Sequence, residues 1–119
     1  MKNSAAVIGL DIAKNVFQAV GKDERGHEVL KKKMSRAQVL EFFANLPAAK
    51  VGIEACASAH YWAREIAKLG HDVRLIAGQH VSRRVIGNKN DYRDAKAIGD
   101  LRSEPETLYV PINTEAPGQ

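Results

Sequence analysis

One cysteine in 119 residues, Cys56, excludes an internal disulfide and fits a reducing compartment. None of the four histidines (His27, His60, His71, His80) pairs with another or with Cys56 at zinc-ligand spacing, so a zinc site is not expected. No apolar run approaches the length of a membrane span. Residues 1–10 are too short and too weakly apolar for a secretory signal, so a cytoplasmic location is expected. Internal repeats and low-complexity runs are absent.

What remains is the composition of a globular protein, 45% hydrophobic and 27% charged, in a length that suits one domain and one core. The net charge of +4 permits an acidic partner such as nucleic acid without requiring one. Basic residues gather in "KKKMSR" (31–36) and between residues 83 and 93. Both stretches read equally well as solvated faces or as a phosphate track through Lys31, Lys32, Lys33, Arg36, Arg83, Arg84 and Lys89.

The apolar run "AAVIGLDI" (5–12) suits a strand buried on both faces. "NVFQAVG" and "HEVLKKKM" follow across a turn at "KDERG", giving three hairpin strands. "SRAQVLEFFANLP" reads as a helix capped by Ser35, with Val39, Phe42, Phe43 and Leu46 as its apolar stripe. "KVGIEA" is a fourth strand. "SAHYWAREIAKLG" is a second helix, with Ser58 as N-cap, Trp62, Ile66 and Leu69 on one face, and Gly70 at its end. "HDVRLIA" is a fifth strand, and "GQHVSRRVIG" is a short helix or helical turn. A last helix, "DYRDAKAIGDL", is capped by Asn90. Residues 1–102 form the expected domain, and the proline-bearing stretch 103–119 reads as an extended tail. This order predicts a mixed α/β sheet of about five strands, the first three antiparallel, with helices on its faces.

Two of these strands end in an acid: "VIGLD" delivers Asp11 and "VGIE" delivers Glu54. In such sheets, sites gather at the carboxyl ends of parallel strands. At about 100° per residue, Asp91, Asp94, Ala95, Ile98 and Leu101 share one side of the last helix. A helix that turns two carboxylates the same way as an isoleucine and a leucine calls for an explanation. Convergence of the four acids provides one, since buried like charges repel and lose hydration unless divalent cations compensate. Each acid also has an ordinary explanation. Asp91 and Asp94 sit in a first helical turn, where the helix dipole favours acids. Asp11 can bond a turn amide, and Glu54 can pair with Arg64 or Lys50. Lys14, three residues past Asp11, is either a phosphate contact or a solvated turn lysine. Cys56 and Ser58 lack a base partner, so they read as a small buried residue and a cap rather than as nucleophiles.

"GLDIAKN", "EACASAHYWAREIAKLGHDVRLI" and "NKNDYRDAKAI" closely resemble the N-terminal domain of the DEDD transposases of insertion sequences, a family that includes the Piv-type invertases. The likeness runs over about residues 6–112. It implies an RNase H-like fold of the RuvC type and a metal-binding, catalytic tetrad that falls on Asp11, Glu54, Asp91 and Asp94. It further implies magnesium, with manganese as a substitute, and action on element-end and target DNA near the nucleoid. In some members a structured guide RNA takes part. The full-length protein is expected to be a homo-oligomer without membrane attachment. Family members continue into a helical region and a C-terminal domain with a serine nucleophile. This sequence stops near where that region would begin, as a fragment, a truncated copy or an expressed domain would. Two other functions compete with DNA recombination. One is a nucleic-acid-binding module without turnover. The other is a sugar-kinase or actin-like nucleotide binder, disfavoured because the glycine-rich phosphate loops are lacking.

Overall fold

The computed structural model describes residues 5–13, 15–84 and 91–113, and of residues 82–84 and 91 the backbone alone. β1 (Val7–Ile12), β2 (Val16–Lys22) and β3 (Glu28–Ser35) form an antiparallel meander. β4 (Lys50–Glu54) lies parallel to β1, and β5 (Asp72–Ile76) parallel to β4. A short β6 (Tyr109–Val110) runs antiparallel to β5, giving the order β3-β2-β1-β4-β5-β6. This is the expected mixed α/β sheet, compatible with an RNase H-like fold. It has one strand more than expected, because part of the stretch read as an extended tail pairs with β5.

The turn between β2 and β3 is built by Asp23. Its Oδ1 accepts the backbone N–H groups of Arg25 at 3.0 Å and His27 at 2.9 Å, and Gly26 takes φ 84°. These bonds favour the charged carboxylate. The His27 amide holds the Asp23 carboxyl below its ordinary value, burial works against this, and the Arg25 amide adds to it.

Strand alternation divides the sheet into two faces. Ile8, Leu10, Val51, Ile53, Val73 and Leu75 point to the side covered by α1 (Val39–Ala44) and α2 (Ala59–Ala67). There Phe17 meets Trp62 edge-on with centroids 5.0 Å apart. His71 joins the end of α1 to the start of β4. Its Nδ1 accepts the Ala49 N–H at 3.1 Å, and its Nε2 lies 2.8 Å from the Phe43 carbonyl. The α1 helix is entered through a 3-10 turn, Arg36–Gln38, where Gln38 Oε1 accepts the Ser35 N–H at 2.8 Å. Ser58 precedes α2 but makes no side-chain cap bond. Leu69, expected on the apolar face of α2, is 40% exposed, because the helix ends at Ala67 and Gly70, at φ 102°, turns the chain away.

The opposite face carries α3 (Gly78–Arg84) and α4 (Asp91–Arg102), packed through Ile76, Val81, Ile98 and Leu101. Here β1 and β4 present glycines. A Cβ at Gly9 would overlap the Ala95 carbonyl and the Gly99 amide of α4, and one at Gly52 would stand 2.9 Å from Arg102 Cβ. Arg102 fixes the end of α4. Its guanidinium, buried to 5% exposure, donates to the carbonyls of Val51 and Asp72 (3.2 Å each) and lies 2.9 Å from an Asp72 carboxylate oxygen.

Candidate functional site

Parallel pairing of β1 with β4 ends at Leu10 opposite Ile53, and Asp11 and Glu54 are the next residues of those two neighbouring strands. Both follow Gly9 and Gly52 by two residues, so both side chains leave the sheet on the α4 face. Antiparallel pairing adds Gln18 opposite Asp11 and Lys33 opposite Gln18. One row across the sheet thus reads Lys33, Gln18, Asp11, with Glu54 just past the last β1–β4 pair. Glu54 reaches towards α3, where its Oε2 would stand 3.0 Å from a Cβ at Gly78.

The direction of α4 follows from its contacts. Ala95 and Gly99 lie at Gly9, while Arg102 reaches Val51 and Asp72, which pair further back along the strands. The helix therefore starts on the side of the sheet where β1 and β4 carry acids at or near their carboxyl ends. Asp94 belongs to the buried stripe, 7% exposed together with Ala95, Ile98 and Leu101, as the helical spacing predicts. Asp91 opens α4, but its side chain lies outside the described residues, as do the side chains of Arg83 and Arg84 and all of Lys14, Lys89 and Asn90. Among the described residues, no group of three or more His, Cys, Asp or Glu side chains is gathered closely enough to hold a metal ion.

The basic candidates separate by position. Lys31, Lys32 and Lys33 are exposed on β3, an edge strand, where lysines also discourage pairing with a foreign strand. Alternation puts Lys31 and Lys33 on the α4 side and Lys32 on the other. Lys31 Nζ stands 4.4 Å from the centre of the Tyr92 ring, and Arg36 lies over Trp62 at 5.3 Å. The Tyr92 hydroxyl donates to Glu28 Oε1 at 2.6 Å, and this bond raises its pKa above the ordinary 10.0.

Neither Cys56 nor Ser58 is set up as a nucleophile. Cys56 is exposed rather than buried, with its Sγ 3.7 Å from Ser58 Oγ. Arg64, weighed above as a partner for Glu54, donates to the Asn113 carbonyl at 2.7 Å, and His60 Nδ1 accepts the Asn113 N–H at 3.0 Å. Two polar residues on the α4 side escaped the sequence reading, Gln18 and Arg102. Gln18 carried a signal, a polar side chain between the apolar residues of a central strand. Arg102 carried none, since an arginine at a helix end is ordinary.

Among the described residues, no helix is long and apolar enough to cross a membrane. A DEDD transposase family profile of the IS110 type, described as "Transposase", matches residues 8–116. A probable family 20 transposase of Pseudomonas aeruginosa is 52% identical over 107 residues, 90% of this chain and 32% of that protein. The transposase for insertion sequence element IS1328 of Yersinia enterocolitica is 41% identical over 94% of this chain and 34% of its own length. The transposase for insertion sequence element IS1111A of Coxiella burnetii is 39% identical over 87% of this chain and 29% of its own length. The chain spans about a third of the length of these curated relatives.

Proposed function

Because the chain belongs to the DEDD transposase family, matched over residues 8–116, we propose that it is the N-terminal catalytic domain of an insertion-sequence transposase, binding divalent metal and nucleic acid. Family membership implies dependence on divalent metal and a DNA substrate. The finer parts of the proposal are magnesium as the cation with manganese as substitute, element ends and target as the DNA, a structured guide RNA, a homo-oligomeric full-length protein and a nucleoid-associated place of work.

The observation that carries the reading is the placement of Asp11 and Glu54 near the carboxyl ends of two neighbouring parallel strands, on the face crossed by a helix whose stripe buries Asp94. In the proposal Asp11 and Glu54 hold the ions from the sheet, and Asp91 and Asp94 hold them from α4. The donors are all carboxylate oxygens, hard ligands that suit magnesium and not the thiolate and imidazole sets of zinc. Bound cations would supply activation of an attacking water or hydroxyl and charge stabilisation at the leaving oxygen of a phosphodiester. The acids orient that chemistry, and the exposed lysines of β3 hold the phosphate backbone by charge.

In this proposal the four carboxylates repel one another where no cation joins them, so cations that bind the folded state raise its melting temperature. Asp11→Asn relieves the repulsion, so it should melt higher than the unsubstituted chain without metal and respond less to added magnesium or manganese. A melting temperature that ignores millimolar metal refutes the ion site. By resemblance, the serine that carries a protein–DNA linkage belongs to a different domain. The 119-residue chain is therefore expected to bind metal and nucleic acid without joining DNA ends, and denaturing gels that reveal a covalent adduct would overturn this.

A further inference from the structure

Gln18 sits between Phe17 and Ala19 in β2 and is 1% exposed, on the α4 face of the sheet and directly across from Asp11. Its amide orientation is fixed by its neighbours. Nε2 donates to the carbonyls of Ala19 at 3.3 Å and Lys32 at 3.2 Å, where the amide oxygen would meet two other acceptors. The planar group therefore turns Oε1 away from those carbonyls, and there it is buried without a hydrogen-bond donor. An unmet buried acceptor is a cost that an apolar side chain of the same size would avoid. Asp11, the residue across from it, cannot meet the need, because an ionised carboxylate only accepts.

We infer that Gln18 is a positioning residue of the ion site, its Oε1 accepting a hydrogen bond from a water carried by a divalent cation beside Asp11. The inference rests on the metal reading above and adds to it a residue outside the four acids. A cation-bound water is a strengthened donor. It can satisfy Gln18 while its oxygen stays on the metal, which turns an unmet acceptor into an outer partner that orients the ion's hydration. The row Gln18, Asp11, Glu54 then acts as a unit, two charges on the ion and one neutral acceptor on its water.

The test is manganese affinity of the full 119-residue chain, measured by titration with electron paramagnetic resonance of free manganese, together with metal-free melting curves. Gln18→Met keeps the length and removes the oxygen, and Gln18→Glu restores an oxygen with added charge. The expected result is an affinity weakened about tenfold or more in Gln18→Met and held or strengthened in Gln18→Glu. A purely structural role would instead lower the melting temperature of both variants and leave manganese affinity alone. Unchanged affinity in Gln18→Met overturns the inference about Gln18 and leaves the ion site standing. No manganese uptake by the unsubstituted chain removes the ion site and this inference with it. If Gln18→Met fails to fold, Gln18→Asn withdraws the oxygen by one methylene while keeping the amide, and the same two outcomes decide.

Discussion

Replacing Gly9 with alanine tests how the sheet and α4 are joined. The added methyl would overlap the Ala95 carbonyl and the Gly99 amide and stand 2.9 Å from Gly99 Cα, all main-chain atoms that cannot rotate aside. The helix has to retreat, and a gap of about 0.5–1 Å already forfeits a quarter to a half of a dispersion contact. Ile98 and Leu101 are the large apolar groups that α4 buries. Full loss of that burial would cost about 3–6 kcal/mol for the two, and ordinary overpacking costs about 1–3 kcal/mol. We expect Gly9→Ala to lose about 3 kcal/mol or more, a large share of the stability of a small domain, and to melt lower by about 10 °C or more. Hydrogen exchange should quicken in α4 before it does in β1. Gly26→Ala is the comparison, since that glycine has nothing within 4 Å and pays only for its φ of 84°, about 1–2 kcal/mol. If Gly9→Ala melts no lower than Gly26→Ala, the close approach of helix and sheet is wrong.

Three further outcomes follow from other contacts. The depressed carboxyl of Asp23 stabilises the fold above its unfolded value of about 3.8, and that contribution is lost as pH falls through the lower folded value; melts across acid pH should lose this part of their slope in Asp23→Asn. Arg102→Met should cost about 2 kcal/mol or more by urea denaturation, through loss of charge-assisted bonds to Val51 and Asp72. Changing Lys31 and Lys33 together to Gln should reduce the salt dependence of DNA binding by about 1–2 in the log–log slope, and an unmoved slope assigns both lysines to edge protection alone.

The strands were legible in the sequence because their apolar runs end at glycines and acids, and those endings also marked Asp11 and Glu54. The stripe of α4 was legible from its spacing, so burial of Asp94 follows from the pattern that places Ile98. β6 was not legible. Two residues carry no periodicity, and Tyr109 and Val110 pair only because β5 offers a free edge. The end of α2 lies two residues before the expected one, because Leu69 continues the apolar spacing beyond the point where the chain begins to turn towards Gly70. Gln18 was missed for a different reason. Its meaning lies in the residue across from it, and cross-strand register is a tertiary fact.

The meeting of Gly9 with Gly99 has a consequence for divergence. Helix–sheet spacing elsewhere in proteins depends on the side chains trapped between the layers, so it drifts as those side chains are exchanged. Here main chain rests on main chain, so the separation between the sheet that carries Asp11 and Glu54 and the helix that carries Asp94 is set by atoms common to every amino acid. The core under α1 and α2, on the other side of the sheet, can change its composition freely without altering that separation.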